Sequence, residues 1–357
     1  MVNAQYPITT TPKYNFPLPN ENLQLPQQFI ELSVRSLKRK QHLQPPFPNT
    51  NTTQYSTTEC LEHFFPTTSL VKLKPNPAKT PIVGIDVSSI KLGETEAGIL
   101  LAVRGAIVWK QANRYRYLRL GPFPFHITEK NKNEICSLRQ HHQTAHIQEH
   151  TSPNILYVQT KLTTLLERWI QASVNQTTRS SLILWDGSLT AGTPETPVKT
   201  MEQMLKEARD NQNTILAFSK MTRLLLYGHR LTGLIGESPP PCLLKIQNYP
   251  TYVGPMHLMG NIYVAKLTEG SCTFRLDVDK RLPHTQTIEA VQKLLGNDLI
   301  LQSYPETLRL AHIFSTFTAT EVLGVQRCIA KENNIKIVTR PNVRRILFGR
   351  FGKGPEG

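Results

Sequence analysis

The chain alternates between short apolar runs and longer segments in which apolar residues recur every three or four positions. The runs at 82–88, 182–185 and 214–218 are short and end at polar or turn-forming residues, which predicts buried strands. The spacing of three and four predicts helices over residues 154–175, 197–211, 285–295, 307–317 and 320–333. Strands that alternate with helices predict an α/β fold, a mixed sheet flanked by helices.

Hairpins are predicted at two places. The apolar run 97–109 is interrupted by Arg104-Gly105, which predicts a tight turn between a second and a third strand. A loop at 268–271 predicts another hairpin. Asp277 and Asp279 share one face of a strand and could bind a metal, but they are expected to be solvated at a hairpin end. Three meandering strands followed by helix, strand, helix and strand resemble the ribonuclease H-like order. That order permits the first strand and the strand after the first helix to lie side by side.

Composition divides the chain into three parts. Residues 1–78 are rich in Pro, Thr, Asn and Gln, which predicts an arm with one helix near residues 27–42. Residues 79–335 have the pattern of a globular domain, with helices at its C-terminal end. Residues 336–357 form a basic tail.

Charge and composition narrow the class of function. The 357 residues include 41 basic and 26 acidic side chains, a net charge of +15, which suggests a polyanionic partner, most simply nucleic acid. The alternative is a basic surface that serves solubility or meets an acidic partner. No apolar run reaches membrane-spanning length and no secretory signal is evident, so no membrane association is expected. The five cysteines form no paired motif, which favours a reduced, cytoplasmic protein over a zinc or disulfide framework.

Two aspartates carry the candidate chemistry. Asp86 and Asp186 each end an apolar strand and are followed by small polar residues. If the two strands are neighbours, the carboxylates meet, and paired carboxylates suit a hard divalent cation. The alternative for each aspartate alone is a cap on a strand-to-loop turn.

Four short motifs together resemble the NurA nuclease family, over roughly residues 80 to 320. They are Ile85-Asp86-Val87-Ser88-Ser89, Asp186-Gly187-Ser188-Leu189, the strand end Ser219-Lys220, and the stretch from Tyr304 to His312. The resemblance implies a ribonuclease H-like fold and a Mn²⁺-dependent nuclease, with Mg²⁺ as the alternative metal. It also implies 5′-to-3′ degradation of DNA, internal cutting of single strands, and a role in DNA end processing and repair. The implied partners are a second copy of the chain, as a homodimer, and a HerA-type hexameric ATPase.

The same resemblance assigns site residues by position. Asp86, Asp186 and His312 are the implied metal ligands. A catalytic glutamate is implied before the second aspartate strand; Glu167 is nearest and Glu149 is the alternative. Helical periodicity instead predicts a surface position for Glu167, away from the centre of its apolar stripe. If neither glutamate serves, the resemblance leaves an inactive or altered nuclease.

Basic residues suggest where DNA would bind. Lys220 follows a strand that should end at the same sheet edge, with Arg223 nearby, and it could equally be an ordinary strand-end residue. Cations and rings alternate in the order Arg114, Tyr115, Arg116, Tyr117. On a strand this directs the arginines to one face and the tyrosines to the other, so the arginines could contact phosphates. The equal alternative is an exposed hairpin with its tyrosines in the core.

Three function classes fit these observations. The first is a metal-dependent DNA nuclease. The second is a non-catalytic DNA-binding or scaffold subunit of a DNA-translocase complex. The third is a ribonuclease H-like enzyme that acts on RNA or RNA–DNA hybrids.

Overall fold

The computed structural model describes residues 27–38, 68–112, 114–137, 155–193, 196–222, 224–226, 228–253 and 256–338. The helices are α1 Gln27–Lys38, α2 Lys132–Ser137, α3 Ile155–Thr177, α4 Val198–Asp210, α5 His284–Asn297, α6 Glu306–Ser315 and α7 Ala319–Asn333. None of these described helices combines the length and the apolar character that a membrane crossing requires.

The strands vary from two to fifteen residues in length. They are β1 Thr68–Lys72, β2 Ile82–Thr95, β3 Gly98–Gln111, β4 Arg114–Thr128, β5 Leu182–Asp186, β6 Thr190–Ala191, β7 Thr214–Ser219, β8 Leu225–Leu226, β9 His229–Arg230, β10 Cys242–Ile246, β11 Tyr252–Val253, β12 Met256–Leu258, β13 Gly260–Lys266, β14 Phe274–Asp279, β15 Ile300–Leu301, β16 Tyr304–Pro305 and β17 Ile337–Val338.

One mixed sheet organises the part of the chain that the structure describes. Its strand order is β1-β10-β13-β14-β7-β5-β2-β3-β4, and β17 pairs with the end of β2. Strands β2, β5 and β7 run parallel, and the other pairs in this sheet are antiparallel. The predicted α/β class is confirmed, and β2 and β5 are neighbours, which the predicted order of elements permits.

Helices cover both faces of this sheet. Helices α1, α3 and α4 pack on one face, through apolar residues that include Phe29, Ile170 and Met204. Helices α5 and α6 pack on the other face, through residues that include Val291 and Leu308. We call these the α3 face and the α6 face.

The predicted hairpin at Arg104-Gly105 is wrong. Strand β3 runs without interruption from Gly98 to Gln111, and Arg104 occupies only a local irregularity in its pairing with β4. The Arg104 guanidinium is buried because it pairs with Glu321 of α7 at 3.2 Å and lies 4.2 Å from the centre of the Phe317 ring. A charged residue inside an apolar run indicates a turn only when no partner neutralises it. For Arg104 that partner is Glu321, which lies far along the sequence.

Described elements from the predicted arm and tail contribute to the packing. The predicted first helix is confirmed as α1, whose Phe29 makes edge contacts with the rings of Phe123, Phe125 and Trp169. Strand β1 pairs with β10, and β17 pairs with β2 at residues 94 and 95. The division of the chain at residues 78/79 and 335/336 stays a prediction.

Two glycines allow the helices to approach the sheet closely. A Cβ at Gly84 of β2 would lie 2.8 Å from the carbonyl oxygen of Thr307 in α6. On the opposite face, a Cβ at Gly105 of β3 would collide with Ile170 of α3. Real Cβ atoms do not come this close to backbone. Helix α6 can therefore lie at its observed distance from β2 only because residue 84 is glycine.

Replacing Gly84 with alanine should destabilise the protein, because the new methyl group meets backbone that cannot rotate away. We expect a loss of about 1 to 3 kcal/mol in the free energy of unfolding, measured by urea denaturation. Gly324→Ala is the matched control: a methyl group added to this helical glycine in α7 would have no neighbouring atom within 4 Å, so the change should be neutral or stabilising. Equal stability of Gly84→Ala and the wild type would contradict the close approach.

Candidate metal centre

Asp86 and Asp186 lie together because β2 and β5 pair in parallel. Ile85 is the register partner of Trp185, and both side chains pack on the α3 face. Since side chains alternate along a strand, the next residues, Asp86 and Asp186, turn towards the α6 face. There His312 of α6 joins them, and potential ligand atoms of the three residues all lie within 4.8 Å of one another.

The Asp86 carboxylate is held mainly through one oxygen. Its Oδ2 accepts hydrogen bonds from the hydroxyls of Ser315 and of Ser88, the latter at 3.4 Å, and lies 3.3 Å from Nδ1 of His312. The two serine hydroxyls are 2.8 Å apart. This arrangement fixes the direction of a carboxylate that is 8% exposed.

Burial and a nearby cation shift the pKa of Asp186 in opposite directions. Burial raises the pKa of its carboxyl group, Lys220 lowers it, and the charge of Asp86 raises it again. The Lys220 ammonium donates a hydrogen bond to Asp186 Oδ2 at 2.6 Å. The structure thus places Lys220 beside the aspartates, at the strand end where the sequence predicts it.

The turn after Asp186 explains the Asp-Gly-Ser-Leu motif. Gly187 has φ of +130°, which side chains rarely adopt, and its N–H donates to the Phe218 carbonyl at 2.7 Å. The Leu189 N–H donates to Asp277 Oδ2 at 3.0 Å. Asp277 is 1% exposed and paired with Arg275, and Asp279 is 8% exposed and paired with Arg209, so the expectation that they are solvated is wrong. The role of Asp277 is to anchor this turn.

Glu167 of α3 is partly buried, and the surface position expected from periodicity is wrong. Burial raises the pKa of Glu167 to about 7; Arg168 opposes this rise, and the charges of Asp86 and Asp186 add to it. Gln171 donates a hydrogen bond to its Oε1 at 3.0 Å. Glu167 therefore lies in the field of both aspartates, although it is outside the group of three close ligands.

Three further residues at the site were not assigned from the sequence. Ser88 follows Asp86 by two positions and so shares its strand face, a signal that period-two alternation contains. Ser315 follows His312 by three positions on α6, which places both on one side of that helix. Tyr304 belongs to the motif that ends at His312, but its position depends on how β16 packs against the sheet.

Arg114 and Arg116 lie away from the metal centre. The predicted alternation is confirmed, because Tyr115 and Tyr117 both lie on the α6 face. The Tyr115 hydroxyl donates to Asp298, at the end of α5, at 2.9 Å, and the Tyr117 ring stacks on Phe314 of α6 with 3.9 Å between the ring centres. The arginines are on the opposite face, level with the start of β2 rather than with Asp86. Arg223 and Glu149 lie outside the described residues.

The arginines line what we call the basic groove. Lys79, Arg114 and Arg116 border a cavity of about 500 Å³, and an adjoining cavity of about 180 Å³ is bordered by Arg116, Arg179 and Trp109. Of the residues that the structure describes along these two cavities, none is acidic. The groove therefore offers positive potential at the end of the sheet where β2 and β5 begin.

Comparison with known proteins gives matches among solved structures. No family model matches the sequence, and no curated protein matches it closely. The NurA nuclease from Sulfolobus solfataricus matches with a TM-score of 0.50 at 14% identity, over 75% of this chain and 87% of that one.

Two endonuclease V structures match more weakly. The Bacillus subtilis enzyme gives a TM-score of 0.33 at 11% identity, over 74% of this chain and 88% of its own. The Ciona intestinalis enzyme, solved with a DNA that contains inosine, gives 0.35 at 9% identity, over 72% and 92%. The match to the NurA nuclease, with its TM-score of 0.50, shows that the chain has a NurA-like fold.

Proposed function

We propose that this protein is a divalent-metal-dependent nuclease that hydrolyses DNA phosphodiester bonds, with Mn²⁺ as its metal and Mg²⁺ as the alternative. The observation that carries the proposal is the convergence of Asp86, Asp186 and His312 on one sheet face of a NurA-like fold. A net charge of +15 supports a polyanionic substrate.

The donor set fits a divalent cation. Two carboxylates and an imidazole match the oxygen and nitrogen ligands that Mn²⁺ accepts. Burial raises the pKa of Asp186, so a cation beside it would offset the cost of its charge. Bound there, the metal would neutralise phosphate charge and lower the pKa of water.

The surrounding residues have distinct roles in this proposal. Ser88 and Ser315 hold Asp86 in its ligating direction. Glu167, with a pKa near 7, suits a group that accepts a proton from the attacking water at neutral pH. Lys220 is close enough to Asp186 to contact a phosphate bound beside the metal.

The finer parts of the proposal rest on the sequence resemblance. They are the 5′-to-3′ polarity, the internal cutting of single strands, the role in DNA end processing and repair, and the cytoplasmic location. Assembly as a homodimer with a HerA-type hexameric ATPase belongs to the same group. The basic groove, at some distance from the metal centre, is proposed as an additional contact for the DNA backbone.

Asp86→Asn and Asp186→Asn should each lower Mn²⁺-dependent cleavage of single-stranded DNA by at least about 100-fold, because each removes a charged ligand. Calorimetric titration with Mn²⁺ should show weaker binding in both variants, independently of cleavage. Asp210→Asn, at the exposed end of α4, is the matched control and should behave as the wild type.

The same assay separates the three function classes. Cleavage that persists in both aspartate variants would contradict the site. Tight DNA binding without cleavage in the wild type would favour the scaffold class. Faster cleavage of RNA or of an RNA–DNA hybrid than of DNA would favour the third class.

Glu167→Gln should stabilise the metal-free protein at high pH. The pKa of Glu167 is about 7 when folded and about 4.5 when unfolded, so wild-type stability is reduced as pH rises from 4.5 to 7. The glutamine cannot ionise, so the variant should gain about 1 to 3 kcal/mol over the wild type at pH 8. Urea denaturation in EDTA at pH 4.5, 6, 7 and 8 measures this gain, and a difference that does not grow with pH would contradict the burial of the charge.

Replacing both Arg114 and Arg116 with glutamine should weaken DNA binding in a salt-dependent way. If both contact phosphates, the slope of log K against log salt for single-stranded DNA should become shallower by about 1.4. Lys199→Gln with Lys206→Gln makes the same charge change on the exposed side of α4 and is the control. Equal slopes for the two double variants would show that the basic groove is not a specific contact.

A further inference from the structure

The indole ring of Trp109 forms part of the wall of the basic groove. Trp109 lies near the end of β3, where it is the register partner of Val83 on β2 and of Arg116 on β4. Because register partners direct their side chains to the same face of a sheet, Arg116 lies beside the indole on the α3 face. The ring is only partly buried: it packs against the core of this face and also borders the cavity of about 180 Å³.

Cationic side chains lie around this ring. Arg179, in the turn between α3 and β5, borders the same cavity as Trp109 and Arg116. Lys79 and Arg114 border the adjoining cavity of about 500 Å³. Within the described part of the chain, neither Lys79 nor Arg179 has an acidic partner. The groove therefore combines positive charge with an aromatic ring.

An aromatic ring beside cations is a combination that suits a nucleotide. A base has a π-face that stacks on an indole, while arginine and lysine attract the phosphate of the same nucleotide. A cavity of about 500 Å³ lies within the usual range of small-molecule pockets. Contacts to the DNA backbone alone would be made by the cations and would not need the ring.

The groove is separate from the metal centre. Val83, which borders the groove, precedes Asp86 by three residues, about 10 Å along the strand. The Val83 side chain packs on the α3 face, whereas Asp86 turns to the α6 face. A nucleotide bound at Asp86 and Asp186 therefore cannot also occupy the groove, so a nucleotide in the groove is a second one.

We propose that the basic groove binds a nucleotide whose base stacks on Trp109 and whose phosphate contacts Arg116 and Arg179. The inference extends the proposed backbone contact of the groove to the bases, and it rests on that part of the proposed function. A nucleotide within an unpaired DNA strand and a free nucleotide share this chemistry, and a competition experiment distinguishes these two sources.

The test is Trp109→Leu, which removes the ring and keeps an apolar side chain. Two labelled strands of ten units, one of deoxyadenosine and one of abasic deoxyribose phosphate, carry the same backbone charge and differ only in their bases. Their binding is measured by fluorescence anisotropy in EDTA, which withholds the metal required for cleavage. The wild type should prefer the deoxyadenosine strand. Trp109→Leu should bind that strand about tenfold more weakly, the effect of one lost base stack, and should bind the abasic strand as the wild type does.

Three further variants separate stacking from charge and from folding. Trp109→Phe keeps a ring and should retain most of the preference for the deoxyadenosine strand. Arg179→Gln should weaken the binding of both strands, because it removes a phosphate contact. Arg327→Gln makes the same charge change at an exposed position of α7 and should leave both affinities unchanged.

Deoxyadenosine monophosphate distinguishes the two sources of the nucleotide. Displacement of the labelled deoxyadenosine strand from the wild type by this mononucleotide would support a free nucleotide as the ligand. A retained preference for bases without such displacement would support a nucleotide within a strand.

Other outcomes contradict the inference. Equal affinity of the wild type for the two strands would overturn it, and this comparison needs no variant. Equal weakening of both strands in Trp109→Leu would also overturn it and would assign the ring a structural role. Absence of Mn²⁺-dependent cleavage by the wild type would contradict the proposed nuclease instead, without affecting a comparison that is made in EDTA.

Discussion

The parallel pairing of β2 with β5 is the constraint on which the candidate site depends. It aligns Ile85 with Trp185, so that the residue after each of them turns to the same face. A shift of one residue in this register would direct one carboxylate into the apolar core beneath α3. Helix α6 must then lie close above β2, and Gly84 provides the space for it.

The site brings three carboxyl groups together in a largely buried position. Asp86 and Asp186 belong to neighbouring strands, and Glu167 approaches from the helix on the other face of the sheet. Burial raises the pKa of both Asp186 and Glu167, which means that their charged forms are costly in the free protein. Lys220 compensates for part of this cost at Asp186. A site of this kind is less stable alone than when it holds a cation.

The sequence predicts those features that depend on local pattern. Apolar runs identify β2, β5 and β7, and Gly187 marks a turn whose backbone conformation suits glycine. Prediction is wrong where a distant partner decides the outcome: Arg104 stays inside a strand because Glu321 neutralises it. Helical periodicity likewise considers only the helix that contains Glu167. It carries no information about the strand ends near which this residue becomes buried.

Contacts that form only through docking are the part the sequence does not specify. Ser315 reaches Asp86 because of the height of α6 above the sheet, and Tyr304 is enclosed because β16 lies under aromatic rings from β7 and β14. The alternation of Arg114 and Tyr115 predicts two faces correctly. It does not indicate that the arginine face lies opposite the metal centre.

The position of α1 has a consequence for the order of folding. Ser33 of this helix donates to the carbonyl of Pro124 at 2.5 Å, across a sequence separation of 91 residues. During synthesis the helix therefore leaves the ribosome well before β4, which it must cover, exists. Contacts of such long range form slowly, and the apolar side of α1, with Phe29 at its centre, stays open to chaperones or to other chains until the sheet is complete.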